Sequence, residues 1–254
     1  MPAGRWPAWR GRAGNPVRRA ETERRRRLSA SSASLPLLLL IAAPARAEIG
    51  FNLSAASDER FRGESISDQR PVMNAALSYD DVSGFYAGIT GGLVATRDDG
   101  IQPAQSVQYV GYGKRLSQGL SLDLGVTNHD YGKYFSGQYA RHFAEAYIGL
   151  VARPLSGHLF YAPDYDGHGG SAVYGAADAT VLDTPDWSIT AHGGMLAPPR
   201  EGWGWSHSAI ADWRLGATRR FGRFGLSLDW VGATPDNHYS RWRSALVVSA
   251  SRSF

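Results

Sequence analysis

"SALVVSASRSF", residues 244–254, closes the chain on an alternation. Leu246, Val248, Ala250 and Phe254 fall on one face of an extended segment, and Ser249, Ser251 and Ser253 on the other. That is the period of a strand with one apolar and one polar side. Chain ends fray unless something ties them down. A strand that runs to the last residue therefore asks for partners on both edges. A closed barrel supplies them, because its last strand pairs with its first.

The same alternation recurs upstream. "LSLDLGVT" sets Leu120, Leu122, Leu124 and Val126 against Ser121, Asp123, Gly125 and Thr127. "ADWRLGAT" sets Trp213 and Leu215 against Asp212 and Arg214, and "FGLSLDW" sets Phe224, Leu226, Leu228 and Trp230 against Ser227 and Asp229. "WSITAHGGM" places Trp187, Ile189, Ala191 and Met195 opposite Ser188, Thr190 and His192. Tight connections at 80–83, 117–119, 154–157, 183–186 and 222–223 alternate with long polar ones at 63–70, 97–105, 129–138, 164–170, 198–207 and 233–242. This layout predicts an all-β, antiparallel up-and-down transmembrane barrel of about 12 strands, with short periplasmic turns and long outer loops. A soluble sandwich also has many short strands, but its loop lengths need not alternate. Trp187, Trp213 and Trp230 sit near strand ends, where an aromatic girdle belongs.

Bulk composition narrows the function classes. The chain has 254 residues, 30 glycines and no cysteine, which excludes disulfides and a thiol nucleophile. Its formal charge of +4 misleads. Ten of the 27 basic residues and only two of the 23 acidic ones lie in residues 1–47, so the remainder is net −4 and nucleic acid is not an expected partner. The leader itself carries "ERRRRL", the apolar "LPLLLLIAA" (35–43) and the A-x-A site "ARA" (45–47). It reads as a signal peptide cut near Ala47/Glu48. The domain expectation is thus 1–47 as N-terminal extension and signal peptide, and 48–254 as the barrel, with outer-membrane lipid around it.

Residues 57–89 then bring a family into view. Ser57, Asp58, Arg60, Phe61, Arg62 and Gly63, followed by Pro71, Tyr79, the stretch 83–86 and Gly88, resemble the opening of the TorF-type porin family of proteobacteria. "EAYIGL" (145–150), "FYAPDYDG" (160–167), "ITAHGG" (189–194) and "DWRLGATRRF" (212–221) resemble it as well. Glu59 and Glu64 depart from its pattern. The resemblance implies an outer-membrane barrel of pore function. An aromatic last residue in a terminal strand resembles the ending read by the barrel-assembly machinery, which makes that machinery an expected partner through Phe254.

Chemistry-bearing candidates are few. "SHS" (206–208) and "HYS" (238–240) pair Ser with His in predicted loops, without a third group to orient the base. "DYDGHGG" (164–170) has alternate carboxylates but neither the spacing nor the closing Glu of an EF-hand, so it reads as a solvated hairpin loop. "GWGW" (202–205) reads as an interfacial anchor. No catalytic residue, metal or cofactor is expected. Function should sit on the polar faces: Asp123, Glu145, Asp178, His192, Asp212, Arg214 and Asp229 as pore-lining residues, and Asp58, Arg60 and Arg62 at the pore mouth. The expectation is a porin-like channel for small polar or charged solutes. A lipid-acting barrel enzyme and a non-conducting adhesin or structural barrel are the alternatives. The excess of carboxylates among the mid-strand charges predicts mild cation preference.

Overall fold

The structure is a computed structural model that describes residues 47–134, 142–165, 167, 170–197, 209–234 and 244–254. Its strands are β1 (Ala47–Ala56), β2 (Arg60–Phe61), β3 (Glu64–Ser65), β4 (Val72–Asp81), β5 (Phe85–Ala95), β6 (Ile101–Ser117) and β7 (Leu120–Tyr131). β8 (His142–Ala152), β9 (Leu155–Ala162), β10 (Ala172–Asp183), β11 (Trp187–Ala197), β12 (Ile210–Phe221), β13 (Phe224–Ala233) and β14 (Ser244–Ser253) follow. β1 and β4–β14 form one closed antiparallel barrel of 12 strands, each paired with its sequence neighbours. β2 and β3 are a two-residue hairpin inside the first long loop. The tight turns fall at 82–84, 118–119, 153–154, 184–186 and 222–223, within a few residues of their predicted places.

Closure explains the last residue. β14 pairs with β1 from Asn52↔Ser253 to Ala56↔Ser249, the Phe254 amide donates to the Phe51 carbonyl at 3.0 Å, and the two rings lie 5.5 Å apart. One predicted long loop is shorter than the sequence suggested. β6 already begins at Ile101, because a bulge opposite Gly92 and Leu93 absorbs the irregular backbone around Pro103 without ending the pairing. Proline there lacks the donor a regular ladder needs.

The outer wall is apolar all round. Ile49, Leu77, Ile89, Val110, Leu124, Ile148, Leu159, Val173, Leu215, Leu228 and Val248 are each between 38% and 70% exposed. A water-soluble surface rarely carries an apolar patch beyond a few hundred Å²; a band wrapping the whole barrel is matched to hydrocarbon. Trp187 starts β11 at the short-turn end, and Trp213 and Trp230 pair at 5.9 Å toward the long-loop end. The interior alternates with this band, as along β8, where Phe143, Glu145 and Tyr147 are buried and Ala144, Ala146 and Ile148 are exposed.

Candidate functional site: the barrel interior and its inward-folded first loop

Residues 57–71, between β1 and β4, fold into the barrel from the long-loop end. Asp58 builds the loop's frame: it accepts from Arg60 Nε at 2.7 Å, Ser65 Oγ at 2.6 Å and Ser67 Oγ at 3.0 Å. Arg60, fully buried, also donates through Nη1 to the Gly63 carbonyl at 2.7 Å. Arg62 and Gly63 take left-handed φ values of 49° and 81°, which turns the loop back on itself. Gly63 lies so close to β13 that a Cβ there would stand 2.4 Å from the Gly232 carbonyl oxygen. Only glycine tolerates both the φ and the approach.

The loop then grips the wall. Glu59 accepts from Asn74 Nδ2 on β4 at 2.9 Å and from Gln105 Nε2 on β6 at 2.8 Å. Arg62 donates through Nη2 to Glu145 on β8 at 2.6 Å, and its guanidinium lies 3.9 Å from the Tyr174 ring centroid and 4.7 Å from that of Phe61. Glu145 Oε1 also meets His129 Nε2 at 3.2 Å. A carboxylate only accepts, so Nε2 carries the proton and Nδ1 is left to accept from the Tyr131 hydroxyl at 3.0 Å. Phe61 and Ile66 of the loop pack into one buried cluster with Tyr131, Phe143, Tyr147, Phe160, Tyr165 and Tyr174. These contacts reach β4, β6, β8, β10 and β13, so the loop spans the interior.

The remaining predicted interior residues form smaller clusters, joined to the loop through Tyr147 and Tyr174. Asp123 accepts from the Tyr86 hydroxyl and from His158 Nε2 at 3.2 Å, and Tyr86 and Tyr147 join hydroxyls at 2.6 Å. The rings lie across the wall because glycines face them: a Cβ at Gly125 would be 2.3 Å from the Tyr147 oxygen, and one at Gly149 2.1 Å from His158. His192 stands between two carboxylates, Nδ1 at 2.8 Å from Asp178 and Nε2 at 3.1 Å from Asp212, which also accepts from Tyr174 at 3.2 Å. Asp229 accepts from Ser227 Oγ at 3.1 Å, while its Oδ1 has no partner. Arg214, in register with His192, is buried with Nε and Nη1 unpartnered.

All ten sequence-predicted residues therefore lie inside the barrel, but not as one constellation. Arg62 and Glu145 meet, as do Asp58 with Arg60 and Asp178 with His192 and Asp212; Asp123 and Asp229 have other partners. Glu59, His129, Tyr86, Tyr147, His158 and Tyr174 hold these clusters and were not among the predicted site residues. For three of them the signal was available, since His129, Tyr147 and Tyr174 alternate in phase with Asp123, Glu145 and Asp178 on their own strands; β5 and β9, which carry Tyr86 and His158, held no predicted residue. Among the described residues no group of three or more His, Asp or Glu side chains is arranged to hold a metal ion. The Ser–His pairs at 206–208 and 238–240, the "GWGW" segment and part of 164–170 lie outside the described residues, as does the predicted leader up to residue 46.

A family model with the description "Bacterial protein of unknown function (Gcw_chp)" matches residues 42–253. The chain belongs to that family. The barrel described above, with its inward first loop, is thus an architecture of a Gcw_chp member. No curated protein matches this Gcw_chp chain in sequence. Among solved structures, it is similar to "NanC porin structure in rhombohedral crystal form", with TM-score 0.53, 9% identity, and 80% of this chain and 97% of that chain covered. It is also similar to "KdgM porin in complex with disordered oligogalacturonate", with TM-score 0.51, 13% identity, and 81% and 99% covered. At those identities the likeness is one of fold: a porin-type 12-stranded barrel.

Proposed function

We propose that this Gcw_chp chain is a TorF-type channel of the outer membrane, exported by a signal peptide cut near Ala47/Glu48, through which small polar or charged solutes diffuse passively. The observation that carries this reading is the polar interior of a closed barrel whose outside is apolar. Charged, imidazole and hydroxyl groups on β7 and β9–β14 all turn inward, away from the apolar outside, where they can meet a polar solute. The solved KdgM porin, similar in fold, is in complex with disordered oligogalacturonate, which supports a polar solute. The reading assigns no chemistry to the barrel, and its partners are membrane lipid, the solute and, through Phe254, the assembly machinery.

In this reading Asp58, Arg60 and Arg62 belong to a constriction at the outer mouth, and Asp123, Glu145, Asp178, His192, Asp212, Arg214 and Asp229 line the path beneath. Arg62 offsets Glu145, so the remaining mid-strand charges are four aspartates against Arg214 and His192. A narrow path between low-dielectric walls focuses that imbalance, and the wild type is expected to prefer cations mildly. Reversal potentials in a planar bilayer under a salt gradient test this. Cation preference that weakens in Asp212→Asn with Asp229→Asn is expected; anion preference in the wild type, or an unmoved potential in the double variant, rejects the path. A plugged, non-conducting barrel is the second reading, favoured by the loop's contacts around the interior. A wild type without conductance that conducts once Glu145 is replaced selects it.

A further inference from the structure

A second group of cations lies away from the interior, on the short-turn rim of the outer wall. Arg219 on β12 and Arg252 on β14 occupy outward-facing, exposed positions among residues that are otherwise apolar. Each lies over two aromatic rings. The Arg219 guanidinium is 5.5 Å from the Trp187 centroid and 4.9 Å from that of Phe221, and that of Arg252 is 4.9 Å from Phe224 and 4.6 Å from Phe254. Pairing of β12 with β13 and of β13 with β14 sets these residues side by side, with Phe221 opposite Phe224 and Phe224 opposite Arg252. Trp187, Arg219, Phe221, Phe224, Arg252 and Phe254 therefore make one line along the rim of four consecutive strands.

Neither arginine meets a carboxylate among the described residues, although carboxylates are near. Arg220, the residue after Arg219, faces inward and donates to Asp183 at 2.7 Å. Asp186, in the turn before Trp187, forms no ion pair with Arg219. Arg223, in the turn between Phe221 and Phe224, adds a third cation that forms no ion pair among the described residues. A guanidinium stacked on a ring keeps its planar edge of N–H donors free, and that edge matches a phosphate. A lipid-facing arginine is tolerated at the interface and not at mid-bilayer, which sets the depth of these two at the headgroups.

We propose that this rim is a binding site for the phosphate headgroup of anionic phospholipid in the leaflet at the short-turn, periplasmic end. Each guanidinium meets a phosphodiester through its free edge, the aromatic rings pack against the glycerol and upper acyl carbons, and the excess of positive charge selects anionic over zwitterionic heads. The inference rests on membrane placement and is independent of whether the barrel conducts.

Native mass spectrometry of the refolded full barrel tests it, with phosphatidylglycerol and phosphatidylethanolamine of identical acyl chains offered together. Preference for phosphatidylglycerol of about fivefold per arginine is expected from the usual attraction of one basic residue to an anionic surface. In Arg219→Gln with Arg252→Gln the two lipids should be retained equally, in a protein whose folded gel mobility is unchanged. Equal retention by the wild type, or a preference that survives in the double variant, overturns the proposal. Should that variant fail to refold, salt decides the matter with the wild type alone. The preference must shrink as ionic strength rises, and a salt-independent ratio overturns it. Displacement of the lipid by inorganic phosphate at comparable concentration would identify a free-anion site and overturn the lipid assignment.

Discussion

Two loops at the long-loop end are each closed by a basic residue and a carboxylate, and the barrel treats them differently. Residues 57–71 are tied by Arg62 and Glu145 at 2.6 Å, with side chains 7% and 1% exposed. The β5–β6 loop is tied to the β7–β8 loop by Lys133 and Asp99 at 2.9 Å, with side chains 50% and 46% exposed. The contact chemistry is nearly the same. Burial is what differs, and with it the cost of leaving one partner alone: large in a dry interior, small where water and salt replace the partner. The first loop is therefore held as part of the interior, and the second only rests at the surface.

The sharpest way to break this comparison is Glu145→Ala. It strips Arg62 of its counter-charge in a closed interior, where an orphaned partner typically costs about 3–5 kcal/mol. The expected response is that the loop leaves the interior: single-channel conductance rises, and trypsin cuts after Arg60 or Arg62, which are buried in the wild type. Unchanged conductance and unchanged protease resistance would mean that the Glu59 and Phe61 contacts hold the loop without the ion pair. Glu145→Gln keeps an acceptor for Arg62 and should fall between.

Two glycines refine the contrast. Gly63 and Gly100 both have positive φ, 81° and 68°, one in each loop. Around Gly63 a Cβ would meet the Gly232 carbonyl, whereas around Gly100 it would meet nothing within 4 Å. Gly100→Ala should thus cost only the backbone term, about 1 kcal/mol. Gly63→Ala adds a clash with backbone that cannot yield cheaply, for about 2–3 kcal/mol in all. Urea midpoints of the refolded barrel measure both; equal losses would show that the first loop is not seated against β13.

How much of this was legible in the sequence follows from the same contrast. Alternation repeats along every strand, so the wall, its 12 strands, its turns and the inward side of Asp123, Asp212 and Asp229 could be read from "LSLDLGVT", "ADWRLGAT" and "FGLSLDW". The loop could not. Arg60 and Arg62 read as mouth charges because nothing in a period of 2 says that a polar, glycine-bearing connection turns inward, and the left-handed pair at 62–63 that turns it has no signature beyond a single Gly. Partners were equally hidden. Glu145 meets Arg62 across 83 positions of sequence, and His129 was assigned to a loop when β7 carries it inward to Tyr131.

The smallest effect is expected at the exposed tie. Hydrogen bonding from the Tyr134 hydroxyl and then from Lys133, together with the Lys133 charge, holds the Asp99 carboxyl below its ordinary range. A depressed carboxylate contributes stability above its unfolded pKa, and that contribution is lost as pH falls through the lower folded value. Asp99→Asn should therefore differ from the wild type only slightly at neutral pH in low salt, and the gap should close both in acid and at high ionic strength. Unfolding midpoints of the two proteins across pH, at two salt concentrations, measure it. A gap that widens in acid would reverse the sign of this linkage. A loss as large as that in Glu145→Ala would mean that water does not reach the Lys133–Asp99 pair, and burial would no longer account for the difference between the two loops.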